Sequence, residues 1–335
     1  MNNQSDVSEL LEADAAGDAD AATALARHYS QSGEHEEAVA AYKRAIDRGA
    51  NEALVDLGLY LWEVIGQVAA GEECLRIADE RGLVNGSGNL GRLLRDKGDL
   101  IGAEAAFRRA YEHGSIRALG DYAFLAVSNG SLSSEEVTQL VVDVCSAQDS
   151  FWLNNNTDAI SAAMALDSIE EQLDSAAVNA GFFRADEAGS AVGAWNVAWV
   201  HHANGNTAEM ISSLRRSIDR GHKRPYPFLA GAYMQMGDRA TAKSIALEGD
   251  QLGVAESSTM YGMILDEDGD LNGAIAAFRR GDEGGDGNGS LALGQCLCQI
   301  GEFREAVDVL RRAVERGAEG AEPALQLAQG SVGAG

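Results

Sequence analysis

The chain has 335 residues, and 52 Asp plus Glu against 26 Lys plus Arg give a formal net charge of −26. That charge excludes general binding to nucleic acid or to an anionic membrane, because both surfaces would repel it. Gly occurs 39 times, against about 23 at an average usage of about 7%, yet Pro occurs only 3 times, which excludes collagen-like and proline-rich chains; a hydrophobic content of 45% excludes wholesale disorder.

The first residues lack a basic stretch followed by an apolar core, so no secretory leader is expected. Val7, Leu10 and Leu11 among acidic neighbours predict a capping helix over residues 1–18. A glycine ruler then sets in. Gly33 and Gly49 are 16 residues apart, as are Gly98 and Gly114, and Gly130 lies 32 beyond Gly98; Gly66 and Gly82 mark a unit with one extra residue. The ruler divides 19–148 into units at 19–50, 51–83, 84–115 and 116–148.

Each unit reads as two short helices. In the third, Ser87 to Arg95 precedes the turn Lys97-Gly98-Asp99, after which Ile101, Ala103, Ala106, Phe107 and Ala110 recur at helical spacing. The glycine after each helix suits an exit through a left-handed backbone position. Ser150 to Thr157 interrupts the pattern, and the stretch 149–190 has lost the ruler. Its apolar spacing still predicts a degenerate helix pair, one helix over 158–166 and a second through Ala180, with 182–193 as a connection.

From Gly205 the ruler is regular. Gly205, Gly237, Gly269 and Gly301 are 32 residues apart, and Gly221, Gly253, Gly285 and Gly317 repeat the spacing 16 residues behind. The units are 191–222, 223–254, 255–286 and 287–318. Residues 319–335 supply a C-terminal cap, with a helix over 322–329 in which Leu325 and Leu327 cover the last unit, and a fraying tail. No uninterrupted apolar run approaches the roughly 20 residues needed to span a bilayer.

A single pair of such helices cannot bury its own apolar stripe, whereas stacked pairs form one continuous core. Small residues in the first helices, among them Ala26, Gly58, Gly91, Ala123, Ala198, Ala230, Gly262 and Gly294, stand at one phase and indicate close helix approach. Tyr42, Leu75, Phe107, Leu214, Phe278 and Leu310 stand at another and are expected in the core of the second-helix interface.

This pattern resembles the tetratricopeptide repeat family. Ala26, Tyr29, Gly33, Ala38, Tyr42, Ala45 carry it in the first unit and Gly91, Leu94, Gly98, Ala103, Phe107, Ala110 in the third. It returns as Gly262, Leu265, Gly269, Ala274, Phe278, Gly281 and as Gly294, Leu297, Gly301, Ala306, Leu310, Ala313. Two departures stand out: a 32-residue unit in place of 34, and glycine in place of the usual proline near the end of the second helix. The resemblance implies an all-α, right-handed α-solenoid of about nine antiparallel helix pairs, and a noncatalytic scaffold or adaptor that binds a protein partner.

If the first helices line a groove, as the resemblance implies, one side-chain column runs through Arg27, Leu59, Arg92, Phe124, Trp199, Gly231, Met263 and Gln295. Trp195, His202 and Met234 stand beside it. Trp195, Trp199 and His202 follow spacings of 4 and 3 on one helix, so two bulky aromatics and a histidine share a face. A tryptophan is an effective buried anchor in a groove or between repeats. Met234 and Met263 extend an adaptable apolar floor, or serve the core for the same reason. Arg27 and Arg92 suit an acidic tail or a peptide carboxylate, or else internal charge compensation. The candidate partner-binding residues are therefore Arg27, Arg92, Phe124, Trp195, Trp199, His202, Met234 and Met263, the partner being a protein or peptide; exposed ends of a stack also allow self-association.

Chemistry is weakly represented. Cys74, Cys145, Cys296 and Cys298 form no disulfide framework and suggest a reducing, cytoplasmic setting. Cys296-Leu297-Cys298 lacks the C-x-x-C spacing of a redox or zinc motif, and His201-His202 lacks the pattern of a metalloprotease helix. The run Gly284 to Gly289 lacks the lysine of a phosphate loop, and no nucleophile elbow appears. No catalytic residue, metal ligand or cofactor is assigned. Two alternatives to the scaffold are a ligand- or peptide-responsive sensor and a helical enzyme with a pocket near the irregular centre.

Overall fold

The computed structural model describes residues 3–154 and 175–332, and every regular element among them is a helix. Contacts divide the chain into an N-terminal unit, residues 1–181, and a C-terminal unit, residues 182–335. The N-terminal unit holds α1 Asn3–Ala15, α2 Ala19–Ser32, α3 His35–Asp47, α4 Ala53–Leu59 continued by a π turn Tyr60–Val64, α5 Val68–Glu80, α6 Val84–Asp96, α7 Leu100–Glu112, α8 Ile116–Asn129 and α9 Ser134–Asn154. Helix α10, Ser175–Glu187, begins there and ends in the C-terminal unit. The latter continues with α11 Ala191–Ala203, α12 Thr207–Asp219, α13 Pro225–Gln235, α14 Arg239–Gln251, α15 Ala255–Glu267, α16 Leu271–Glu283, α17 Gly287–Gln299, α18 Phe303–Glu315 and α19 Ala321–Val332. Within each unit consecutive helices pack on one another as pairs, α6 with α7 and α15 with α16 being representative. This is an all-α solenoid architecture.

The ruler glycines are turn residues. Gly98 has φ +83°, which lets the Asp99 N–H donate back to the Leu94 carbonyl at 2.9 Å and close α6. Asp99 then accepts from the Gly102 N–H at 2.9 Å and opens α7, so a three-residue turn ends one helix and caps the next. Gly17 and Gly189 are also ruler positions, 16 residues before Gly33 and Gly205, with φ +97° and +95°. The stretch 149–190, expected to have lost the ruler, therefore keeps one of its glycines at its end.

The second class of glycine acts by size. A Cβ on Gly262 would lie 2.6 Å from Phe278, and one on Gly294 would lie 2.5 Å from Leu310. Tyr42, Leu75, Phe107, Leu214, Phe278 and Leu310 are all buried, as their phase predicts. Each glycine thus lets the bulky residue of the second helix seat against the backbone of the first.

A ladder of ion pairs joins successive second helices. Asp14 holds Arg44, Asp79 holds Arg109, Asp186 holds Arg216, Asp250 holds Arg280 and Asp282 holds Arg312, each arginine thirty residues on and at 2.5–2.6 Å. Arg48, Arg220 and Arg316 add a second contact to Asp14, Asp186 and Asp282. Burial alone would raise the Asp282 carboxyl, but hydrogen bonds from Arg312, Ser290 and Arg316 outweigh it and hold the group below its ordinary range. Eight of the 26 basic side chains are thereby engaged between neighbouring helices.

Three expectations are revised. The stretch 182–193 is not a connection: α10 runs to Glu187, and the turn is only 188–190 before Ser190 caps α11 by accepting from the Gly193 N–H at 2.8 Å. Helix α9 runs past residue 148, since its apolar face continues through Val141, Val144, Cys145 and Ala147 without a turn glycine. In α19, Leu325 packs on the last core but Leu327 is 75% exposed, because residues two apart on a helix point to different sides. The helix expected over 158–166 lies outside the described residues.

The one extra residue between Gly49 and Gly66 has a local outcome. It is absorbed in the first helix of that pair, where the Ile65 N–H donates to the Tyr60 carbonyl at 3.1 Å, a π rather than α bond.

Candidate functional site

In the C-terminal unit an apolar cleft of about 360 Å³ opens between α11, α12, α13 and α15, lined by Trp199, His202, Met210, Leu214, Phe228, Gly231, Gln235 and Met260 among others. Helix α11 positions Trp199 and His202 one turn apart. Pro225 at the start of α13 fixes the entry of that helix, which then presents Phe228, Gly231 and Gln235 on one face. Trp199 and Phe228 stay 39% and 46% exposed although their rings meet edge to face, 5.2 Å between centroids at 82°. The His202 ring stands 5.6 Å from Trp199 at 86°. The cleft is therefore cornered by rings set nearly perpendicular to one another.

Gly231 leaves the cleft room. A Cβ there would meet only the end of the Met260 side chain, at 3.9 Å, in contrast to the tightly seated Gly262 and Gly294. Trp195 supports the cleft from behind. It is half-buried, edge-on to Trp199 at 5.4 Å, to Phe228 at 5.0 Å and to His222 at 5.8 Å. His222 is buried with its Nδ1 3.1 Å from the Ser217 hydroxyl. Burial, helped by the Arg224 charge, pushes its pKa down to about 4, so at neutral pH it packs as an uncharged ring.

The other candidates are distributed as follows. Met234 packs half-buried with Ala230, Ala242, Ala246 and Ile264 rather than in the cleft. Met263 is exposed on α15, one turn beyond Met260 and outside the lining. Phe124 is 52% exposed on α8 in the N-terminal unit. Arg27 donates to Asp56 at 2.7 Å, and Arg92 donates to Glu63 at 3.1 Å with its guanidinium 5.6 Å from the Trp62 ring. Both arginines thus compensate charges of the neighbouring repeat.

Phe228, Met210, Met260 and Gln235 were not singled out in the sequence. A signal existed: Asn196, Phe228, Met260 and Ala292 recur at 32 residues, one row beside the column of Trp199, Gly231 and Met263. Reading two adjacent rows rather than one finds the cleft.

The N-terminal unit has a second cleft, about 400 Å³, between α3 and the π turn. Val39, Leu61 and Ile65 form its floor and Glu36, Lys43 and Gln67 part of its rim, while the His35 Nδ1 and Tyr60 Oη are 2.7 Å apart. Among the described residues no group of His, Cys, Asp and Glu is arranged to hold a metal ion, and no helix is long and apolar enough to cross a membrane.

Two stretches of the chain match a known repeat, and several solved structures are similar to it over most of its length. The family model described as tetratricopeptide repeat matches residues 21–54 and 291–322. Among solved structures, the chain is similar to c5321, a protective antigen of uropathogenic Escherichia coli with an SLR fold (18% identity, 95% of this chain and 81% of that one, TM-score 0.49). It is also similar to the Cut9-Hcn1 hetero-tetramer of the APC/C (11%, 95% and 84%, TM-score 0.40) and to a tetratricopeptide repeat protein of Parabacteroides merdae (13%, 83% and 98%, TM-score 0.36). No curated protein sequence matches the chain.

Proposed function

We propose that this chain, whose helix pairs match the tetratricopeptide repeat at residues 21–54 and 291–322, is a noncatalytic scaffold or adaptor that holds a peptide or helical segment of a protein partner on the first-helix face of its C-terminal unit. One observation carries the reading. Trp199 and Phe228, side chains that a folded chain ordinarily buries, stay open where their rings meet at one corner of a cleft that Gly231 also lines. A partner side chain entering there covers apolar surface that the chain itself leaves wet, at about 25 cal/mol per Å² removed from water. His202 is the one ionisable side chain in the lining, which suits docking better than acid–base chemistry between two groups. The charge of −26 adds selection against acidic partners.

The test is a peptide array probed with the purified full chain, followed by affinities for the peptides that bind. Trp199→Ala should weaken them at least tenfold, and Gly231→Leu, which fills the cleft while keeping Trp199, should do the same. Peptides that bind both folded variants as well as they bind the parent chain would remove the cleft from the mechanism. A bound peptide that alters the radius of gyration in scattering would shift the reading from scaffold to sensor.

A further inference from the structure

The cleft restricts the chemistry of what enters it. Its lining contains no Asp, Glu, Lys or Arg. A carboxylate or phosphate would have no cation to meet there and would approach a chain of charge −26, so anionic anchors are disfavoured. A primary ammonium or a guanidinium carries several N–H donors that need acceptors. The lining side chains offer few, chiefly the Gln235 amide and the His202 ring, so those donors would be stranded.

A methylated ammonium has a positive charge with few N–H groups, or none, and a small dehydration cost. The walls suit it: the Trp199 and Phe228 rings stand 5.2 Å apart at 82°, His202 stands at 86° to Trp199, and the thioethers of Met210 and Met260 complete the lining. Ring faces carry the negative part of the aromatic quadrupole and attract such a cation without a carboxylate. Along the helices that line the cleft the neighbouring charges are of both signs: in sequence Glu256 stands one turn before Met260 and Glu209 next to Met210, while Lys223 and Arg224 precede α13. The net field of the chain remains negative.

We propose that the anchor received by this cleft is a trimethylated lysine side chain of the partner segment. This rests on the docking reading above and specifies its ligand. The test uses the 15N-labelled full chain and the tryptophan indole N–H signals, with Trp199 identified from a Trp199→Phe variant. Acetyl-Gly-Xaa-Gly-amide tripeptides are titrated with Xaa as trimethyllysine, as lysine, or as the neutral tert-butyl isostere of trimethyllysine, and choline is titrated alone.

Trimethyllysine should bind at least about tenfold more tightly than the isostere, the order of one good cation–π contact in a desolvated site. It should also exceed lysine, and its effect on the indole signals should vanish in Phe228→Leu, which retains bulk but removes a ring. Equal affinity for trimethyllysine and the isostere would show that the cleft reads apolar surface alone, overturning this inference while leaving the docking reading in place. Choline binding as tightly as the trimethyllysine peptide would overturn the assignment to a protein side chain. Absence of any binding would overturn the inference, and the array with Gly231→Leu decides the docking reading separately.

Discussion

In the N-terminal unit the first-helix column holds Arg27 and Arg92, and each reaches a carboxylate of the neighbouring repeat, Asp56 and Glu63. In the C-terminal unit the equivalent column holds Trp199 and Gly231, which line an open aromatic cleft, and Met263, which stands exposed outside it. The scaffolding beneath is the same: left-handed turn glycines, small residues under bulky ones, and aspartates holding arginines thirty residues on. The difference teaches that the repeat rules constrain the helix interfaces, while the face formed by the first helices is free to vary. In the N-terminal unit that face carries paired arginines and a single open ring, Phe124, whereas in the C-terminal unit Trp199 and Phe228 gather open rings around a cleft.

The sharpest way to break this comparison is through the ladder. Asp282→Asn leaves Arg312 and Arg316, 41% and 29% exposed, without their shared carboxylate, which is 6% exposed, and should destabilise the C-terminal unit by about 2 kcal/mol in urea unfolding, the order of losing hydrogen bonds between charged groups. Asp56→Asn, whose partner Arg27 is 60% exposed, should cost under about 1 kcal/mol in the same assay. Equal costs would erase the distinction between interface and face.

Acid titration separates the units next. The folded His222 pKa of about 4 lies below the ordinary 6.5, so as pH falls the unfolded chain takes up the proton first. Stability from this group is fully present above pH 6.5, is lost between 6.5 and 4, and levels off below. Its size is about 3 kcal/mol, because each tenfold difference in proton affinity between the folded and unfolded chain is worth about 1.36 kcal/mol. The ladder aspartates, depressed below 3.8, act under that window. His222→Gln should flatten the pH 4–6.5 part of the melting profile and leave the lower part intact; an unchanged slope would mean that His222 is not buried uncharged.

Glycine substitutions sharpen the contrast at smaller scale. Gly262→Ala drives a methyl into Phe278 and should cost about 1–3 kcal/mol by overpacking. Gly231→Ala, with only Met260 at 3.9 Å, should instead gain up to about 1 kcal/mol from helix propensity. A loss at both positions would place Gly231 in an interface rather than on an open face.

The fold was legible because its determinants are local and repeated. Gly98 reports a turn through the conformational freedom of one residue, and Gly91 with Phe107 reports a close helix pair through size. The one-residue excess before Gly66 was visible as well, but its absorption as a π turn at Tyr60–Val64 depends on the packing of that helix. The site was half legible. Trp195, Trp199 and His202 share a helix, so their clustering follows from spacing, whereas Phe228 and Met260 come from two later helices: the 32-residue row sets them beside the column, and only packing turns the Phe228 ring against Trp199. Arg27 and Arg92 look alike to Trp199 in the column because a periodic pattern cannot tell a paired charge from an open one.

By itself, the sequence determined the helical class, the 32-residue unit, and the positions of turns and close contacts, all of which depend on φ, residue size and periodicity within one repeat. Only the tertiary structure decided which first-helix side chains are paired and which stay open. That outcome depends on carboxylates and rings from neighbouring repeats, brought within bonding distance by stacking.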